Sequence, residues 1–376
     1  MISNFRILKF HTFNVIDSFL VAAFTVLVPL SLNARNIDLV SIGWIVALLP
    51  LIFTVSRVIF ASIADGIGTK PFFIFNAAAG TVASFLYMNA TNIVSYSAGR
   101  ILEGLRGGAI WAVNRLEAMK LTQEKRVEDE FARLASTRLF AFGAGTIISG
   151  FVVFYIGFEL TFMFLCILSF ILFLLSFSLG TSRLFREDVN KIVERLDLRK
   201  KSARLWKMAI YMLPAMPATS LPLGFLLPLY LNKMNFNYSQ IGVLIGAYYL
   251  ISSFAFPITK KAGLPIKRLA LLCFAFFSVG VLLLSFKKSI WLGVGMMAFG
   301  DGLGSILWER FIVKGTYRSK TAATDVGLLH VPAHLATTFF LAVSGYLVES
   351  LGFINSFYIC ALLMGIYCFF AAKELY

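Results

Sequence analysis

The sequence predicts an all-α integral membrane protein with about twelve transmembrane helices, arranged as two pseudo-symmetric six-helix bundles. Three observations predict this fold class. Hydrophobic residues make up 59% of the 376 residues, and the mean hydropathy of +0.82 is well above that of a soluble domain. Apolar runs that are long enough to cross a bilayer recur along the whole chain. Two sequence patterns in the first half also recur in the second half.

The predicted spans follow one another with mostly short polar connections. Each contains roughly 20 mostly apolar residues, the length that a helix needs to cross about 30 Å of hydrocarbon. The first has no small-residue cleavage site, so we expect it to remain attached rather than to act as a signal peptide. The spans lie near residues 10–33, 38–64, 71–89, 92–119, 132–155, 158–180, 206–232, 238–259, 266–286, 289–313, 322–349 and 352–372.

The longest polar segment separates the sixth span from the seventh. It divides the chain into a first bundle at 1–180, a cytoplasmic linker at 181–205 and a second bundle at 206–376. A partial apolar stripe in this segment fits a short helix on the membrane surface. A solvated tether fits the same composition, so both interpretations stay open.

Two repeated patterns indicate that the bundles share one design. "LVPLSLNARNIDLVSIG" recurs 199 residues later as "LLPLYLNKMNFNYSQIG", and "SGFVVFYIGF" recurs 195 residues later as "SGYLVESLGF". Pro29 and Pro228 occupy equivalent places near the outer ends of the first and seventh spans, where a missing backbone donor permits bending. The asparagines that follow each proline are predicted to form the same outer turn.

The distribution of basic residues predicts the orientation of the chain. With alternate connections assigned to opposite faces, 24 lysines and arginines lie on one face and only 4 on the other. Basic residues accumulate on the cytoplasmic side of membrane proteins, so we expect a protein of the cell membrane with both termini in the cytoplasm. The net charge of +15 is therefore attributed to contact with the lipid bilayer and not to nucleic acid.

Charged residues within apolar spans are candidate functional residues because burying them is costly. Arg100, Glu103, Trp111 and Asn114 share one face of the fourth span, which predicts that this face lines a cavity. Arg100 can pair with Glu103 three residues on, or with Asp17 of the first span. A carboxylate that faces a fixed arginine has two stable states. It is either protonated and unpaired, or ionised and paired with the arginine, and coupling to protons requires two such states. A self-neutralising Arg100–Glu103 pair and a merely hydrated Asp17 remain alternatives.

The tenth and eleventh spans hold the remaining candidate residues of the substrate and proton-coupling cavity. Asp301 is surrounded by glycines that clear space around it, and Trp308 lies on the same side of its helix. His330 and His334 are one turn apart, which suits a metal only if further ligands are available. No third histidine or cysteine is suitably placed in the sequence, so we predict cavity residues and no metal. A plain polar helix face is the competing interpretation.

Two motifs resemble signatures of one transporter family. "ASIADGIGTKP", between the second and third spans, keeps Asp65, Gly68 and Lys70 of one signature, although Ala61 and Gly66 replace two of its residues. "GRILEGLRGGAIWAVNR" keeps an arginine followed by glycines four and eight residues on, while "GTIISG" has Thr146 where drug exporters have proline. Over essentially its whole length the chain resembles the major facilitator superfamily.

The resemblance implies a secondary active transporter that moves a small solute by alternating access and is coupled to protons, by symport or antiport. It also implies that Asp65, Gly68 and Lys70 latch an inner gate and that bending at Pro29 and Pro228 works an outer gate. A membrane channel and a nontransporting receptor on the same fold are the alternatives. No enzyme motif occurs, and we expect no cofactor and a monomer. Two other buried cations, Arg57 and Arg138, are expected to serve gating or helix packing.

Overall fold

The computed structural model describes residues 2–121, 127–180, 201–316 and 322–375. In the first half the helices are α1 (Ile2–Ala34), α2 (Leu39–Ile67), α3 (Lys70–Met88), α4 (Ile93–Leu121) and α5 (Val127–Ser176). In the second half they are α6 (Ala203–Met212), α7 (Ala215–Leu221), α8 (Leu227–Lys233), α9 (Tyr238–Ala262), α10 (Ile266–Leu283), α11 (Ile290–Thr316), α12 (Ala322–Ala342) and α13 (Ser344–Glu374). A π-helical turn, Pro222–Leu226, joins α7 to α8.

The described helices are consistent with the predicted twelve spans once two bends are recognised. Nine helical stretches of the described chain are long and apolar enough to span a membrane, and the more polar α4 and α12 bring the number to eleven. With 50 residues, α5 would extend roughly 75 Å if it were straight, more than twice the hydrocarbon thickness. It turns back at Gly157, where φ is 80°. This bend makes α5 two spans and completes the twelve.

The second bend occurs at the equivalent place in the second half. Gly352 of α13 has a φ of 83° and lies 195 residues after Gly157, in the second repeated pattern. Positive φ is readily accessible to glycine, which explains why both copies keep it. The first part of α13 prolongs α12, because the Val343 N–H still donates to the Phe339 carbonyl at 3.0 Å. The part after Gly352 is the twelfth span.

Each half forms its own bundle, and the halves meet mainly along two pairs of helices. In the first half α1 packs on α5, and α2 packs on α4, with α3 against both α4 and α5. In the second half α11 packs on α9 and α10, while α12 and α13 pack on α6 and α7. Between the halves, α2 contacts α12 and α5 contacts α9. The predicted fold class is thereby confirmed.

The first repeated pattern forms the same turn in both halves, as the sequence predicts. Asn36 and Asn235 have φ values of 59° and 63°, a region that asparagine tolerates better than most residues. The amide of Asn36 donates to the Asn33 carbonyl and that of Asn235 donates to the Asn232 carbonyl, both at 3.0 Å. The side chains of Asn33 and Asn232 also join each other at 3.1 Å, from Nδ2 to Oδ1. The two copies of the pattern therefore touch on the face opposite the chain ends.

The two prolines of this pattern lie in different local structures. Pro29 lies inside α1, which continues unbroken from Ile2 to Ala34. Pro228 lies in the first turn of α8, directly after the π-helical turn that interrupts the seventh span. Only the second half therefore shows a break beside its proline, and the gating role of both prolines stays a prediction.

The proposed inner latch and the linker are described only in part. Gly68 ends α2 with a φ of 85°, its N–H donates to the Ala64 carbonyl at 3.1 Å, and Lys70 begins α3. Asp65 belongs to the last turn of α2, but its side chain lies outside the described residues, as do residues 181–200 of the linker. The latch and the domain boundaries therefore stay predictions.

Candidate functional site

A buried ion pair joins α1 to α4 in the middle of the first bundle. Arg106 Nη2 donates to Asp17 Oδ1 at 2.5 Å, and both side chains are almost wholly buried. The backbone carbonyl of Arg106 accepts a bond from Asn76 Nδ2 at 3.0 Å. Gly80 leaves room for the guanidinium, since a Cβ there would lie 3.1 Å from Arg106 Nη1. Of the two partners that the sequence left open for Arg100, Asp17 is therefore excluded in this structure, because it pairs with Arg106.

Arg100 instead forms the self-neutralising pair that the sequence allowed. Its Nη1 donates to Glu103 Oε2 at 2.8 Å, and the Tyr87 hydroxyl donates to the same oxygen at 2.6 Å. The other terminal nitrogen, Nη2, donates to the Phe24 carbonyl at 3.4 Å. Arg100 and Glu103 are only 1% and 6% exposed, so this part of the α4 face packs against α1 and α3 rather than lining a cavity.

Polar pairs continue from the Asp17–Arg106 pair towards the face that carries the chain ends. Asn114 Nδ2 donates to Asn14 Oδ1 at 2.6 Å, and His11 Nε2 lies 2.5 Å from Glu130 Oε1. His11, Asn14 and Asp17 are three residues apart on α1 and therefore share one face of that helix. We call these three pairs the polar ladder. Sequence analysis found Asp17 and Asn114 but missed the spacing of polar residues in the first span, which was the available signal.

Trp111 lies at a second cluster, which faces the other half of the molecule. The guanidinium carbon of Arg138 lies 4.5 Å from the centre of the Trp111 ring, and that of Arg57 lies 5.1 Å from it. Phe53 stands edge-on to Trp111, with 6.4 Å between ring centres, and contacts the His334 ring across the interface at 4.9 Å. Helices α2, α4 and α5 of the first half and α12 of the second half thus meet at this point.

The second half contributes a continuous wall of rings and a small cavity. The rings of His334 and His330 are 6.3 Å apart, and Trp308 lies 5.2 Å from His330. Trp308 and Asp301 line a cavity of about 170 Å³, as their placement on one side of α11 predicts. The wholly buried Tyr248 lies beside Asp301. The cavity is lined by Ala215, Met216, Thr219, Asp301, Gly304, Ser305, Trp308, Met364 and Tyr367.

The two histidines stand in this wall without a ligand set around them. His330 Nδ1 is 2.5 Å from the Val326 carbonyl, which positions its ring along α12. Within the described part of the chain, no group of three or more His, Cys, Asp or Glu side chains is close enough to hold a metal ion. Their rings contact Trp308 and Phe53, so the role of the two histidines as cavity residues stays a prediction.

Two glycine contacts close the halves against each other on the face opposite the chain ends. A Cβ on Gly345 would lie 2.3 Å from the Leu39 carbonyl oxygen, and a Cβ on Gly150 would lie 2.8 Å from the Gly242 Cα. Gly43 likewise approaches Gly345, whose backbone nitrogen would be 3.3 Å from a Cβ at Gly43. Because Gly43 and Gly242 are equivalent in one repeat, and Gly150 and Gly345 in the other, the two contacts are related by the pseudo-symmetry.

Solved structures with the same arrangement of helices are transporters. A nucleoside transporter, NupG, matches with a TM-score of 0.76 and 15% identity over 98% of this chain and 99% of that chain. A D-xylose-proton symporter matches with a TM-score of 0.69 and 12% identity, over 98% of both chains. A POT family transporter in complex with 5-aminolevulinic acid matches with a TM-score of 0.71 and 12% identity, over 96% of this chain and 93% of that one. These likenesses establish the fold.

Sequence comparison places the chain in a family. A search of curated protein sequences gives no significant match. The sequence model of the Major Facilitator Superfamily matches residues 12–322, which is more than four-fifths of the chain. With the repeated halves and the twelve crossings, this match shows that the chain is a multi-pass membrane protein that belongs to the Major Facilitator Superfamily.

Proposed function

We propose that the protein is a secondary active transporter that moves a small solute by alternating access and is coupled to protons at the Asp17–Arg106 pair. One observation carries the proposal. The halves close on each other through pseudo-symmetric contacts on one face, while Phe53 of the first half and His334 of the second half meet well inside their helices, away from that face. A solute held at that depth can be offered to either face when the halves rock.

The closing contacts are suited to repeated separation. Gly43, Gly150, Gly242 and Gly345 bring backbones together without interlocking side chains, so the surfaces can part without unpacking a core. The Asn33–Asn232 bond is a single contact between neutral side chains, which water can replace at little cost. Opening this face therefore requires far less free energy than unfolding either bundle.

Proton coupling at Asp17 follows from the cost of an unpaired buried charge. While Asp17 is ionised, it neutralises Arg106 at 2.5 Å and holds α1 against α4. A proton on Asp17 would abolish this attraction and leave the charge of Arg106 unpaired. The contact between α1 and α4 would weaken, which would change the free-energy difference between the two arrangements of the halves that alternating access requires. The polar ladder places further polar side chains between Asp17 and the face of the chain ends.

We further propose that the protein acts as a monomer in the cell membrane, with both termini in the cytoplasm. The excess of basic residues on the face of the chain ends supports this orientation. Many large apolar side chains are exposed along the outside of the helices, as contact with lipid requires; examples are Phe140, Tyr155, Leu271, Leu362 and Phe369.

Uptake into vesicles tests the proposal. Purified protein would be reconstituted with an imposed pH gradient and offered radiolabelled nucleosides, pentoses, amino acids and organic acids. We expect saturable uptake of one class that depends on the gradient, and loss of that dependence in Asp17→Asn. Asp38→Asn is the matched control, because this carboxylate lies in the turn between α1 and α2, away from the pair. Flux that does not saturate would indicate a channel, and binding without uptake would indicate a receptor.

A further inference from the structure

We propose that the transported solute is an organic anion whose carboxylate or phosphate group binds between Arg57 and Arg138 beside Trp111. This inference rests on the proposed transport function and names the substrate class for the site between the halves. It is carried by the convergence of two guanidinium groups on one indole ring, at the place where both halves meet.

The two arginines approach the same ring from different helices. Arg57 belongs to α2 and Arg138 to α5, while Trp111 belongs to α4 between them. Both guanidinium carbons are within 5.1 Å of the ring centre. The two groups therefore lie within about 10 Å of each other. An anion that contacts both guanidiniums would be attracted by both charges.

The position of the cluster suits a solute that both halves must contact. Arg57 also lies over Phe53, 5.8 Å from its ring centre, and Phe53 contacts His334 of the second half. Arg138 lies 5.9 Å from the Phe142 ring centre, and Phe142 contacts Tyr249 of the second half at 5.3 Å. Each arginine is thus one ring away from the opposite bundle, so an anion bound between them would lie where movement of the halves can expose it.

Arginine chemistry distinguishes a carboxylate or phosphate from a neutral ligand. The planar guanidinium stays charged at any physiological pH and donates two parallel hydrogen bonds to such groups. The contact with Trp111 attracts both guanidinium groups and helps to hold them in place. Arg57 is only 7% exposed, whereas Trp111 is partly exposed, so the ring is the accessible floor of the site.

Two acidic residues of α11 line other cavities. Asp301 lines the separate cavity beside Trp308, and Glu309 lines a larger cavity of about 950 Å³ near the end of α11 with Arg310 and Lys314. Among the described residues, the second half reaches this cluster through the His334 ring, which contacts Phe53, and the Tyr249 ring, which contacts Phe142. This arrangement favours an anion with an apolar or planar body.

Matched pairs of probes test the substrate class. Thermal unfolding of the detergent-purified protein would be followed with benzoate against benzamide, succinate against succinamide, and glucose phosphate against glucose, since a bound ligand raises the midpoint by mass action. We expect at least one acid to raise the midpoint while its neutral partner does not. Arg57→Gln and Arg138→Gln are expected to weaken that acid about tenfold or more, as the loss of a charged hydrogen bond implies.

Two further variants keep the test interpretable. Arg57→Lys retains the buried charge and, because it cannot donate the paired bonds, should bind the acid more weakly than the native protein while keeping its fold. Arg35→Gln, which removes an exposed arginine at the end of α1, should leave binding unchanged. The inference is overturned if no acid exceeds its neutral partner, or if the acid binds equally well to both Arg→Gln variants. Gradient-driven uptake of a neutral solute would overturn it while leaving the transport function intact.

Discussion

The Asp17–Arg106 pair gives the sharpest test of the structure because its two members can be removed separately and together. Asp17→Leu leaves Arg106 charged and buried, with Nε and Nη1 already lacking hydrogen-bond partners among the described residues. Removing one partner of a buried ion pair typically costs about 3–5 kcal/mol. Replacing both by apolar residues of similar size is often neutral, so Asp17→Leu with Arg106→Met should recover most of the loss.

The expected change is large enough to measure by thermal unfolding. An unfolding entropy of about 2.1 cal/mol/K per residue gives about 0.8 kcal/mol/K for a chain of this length, so a loss of about 3–5 kcal/mol lowers the midpoint by about 4–6 °C. The double variant should unfold within about 2 °C of the native protein, a loss of about 1.6 kcal/mol. If each single variant loses about 3–5 kcal/mol, the coupling free energy is at least about 4 kcal/mol. If the double variant lost the sum of the two single losses, the pair would not exist as described.

Three further predictions concern other contacts. Gly345→Ala places a Cβ against the backbone of α2 and should hold the outer face open, so that a cysteine introduced at this face is labelled faster. Gly327→Ala is the control and should not change the labelling rate, because no atom lies within 4 Å of its added Cβ. Tyr87→Phe should lower the stability by about 1–3 kcal/mol in denaturant unfolding because Glu103 loses a buried hydrogen bond. Asp38→Ala should cost about 1 kcal/mol, since Asp38 caps α2. The backbone N–H of Ser41 lowers the pKa of Asp38 below its ordinary value of 3.8, so this contribution should be present at neutral pH and lost as the pH falls below that value.

The repeated turns could be predicted from sequence because their chemistry is local. The same asparagines, spaced identically in the two halves, adopt the same positive φ, and the equivalent glycines Gly157 and Gly352 both reverse the chain. The effect of Pro29 could not be predicted in the same way, since a long helix can absorb a proline when neighbouring helices hold it in place.

The partner of Asp17 could not be read from helical periodicity alone, which indicates faces but not depth. Asp17 lies 15 residues after the start of α1 at Ile2, and Arg106 lies 15 residues before the end of α4 at Leu121. Because α1 and α4 run in opposite directions, the start of α1 and the end of α4 lie on the same face. The equal distances from these two ends therefore place the two side chains at the same depth. Arg100 lies six residues further from that end of α4, about 9 Å away along the axis.

The convergence of Arg57 and Arg138 depends on tertiary structure. No spacing within one helix relates residues of α2, α4 and α5, so the sequence supported only a role in gating or packing for these arginines. Once the helices are assembled, both guanidiniums lie against Trp111, which the sequence had selected as a cavity residue. The role of this cluster in binding remains the proposal that the acid and amide probes test.

The measurement that tests alternating access most directly follows both faces of the molecule at once. The four native cysteines would first be replaced. One sample would carry spin labels at Ala34 and Lys233, beside the Asn33–Asn232 contact. A second sample would carry them on the other face, at Arg133 near the start of α5 and at Lys261 near the end of α9. All four label positions are exposed.

Distances between the labels should fall into two populations. We predict that conditions which lengthen the outer distance shorten the inner one, and that Asp17→Asn, which mimics the protonated carboxyl group, shifts the proportion of the two states. A single distance at each face, unchanged by pH, by bound solute and by Asp17→Asn, would contradict rocking of the two halves and with it the proposed transport mechanism.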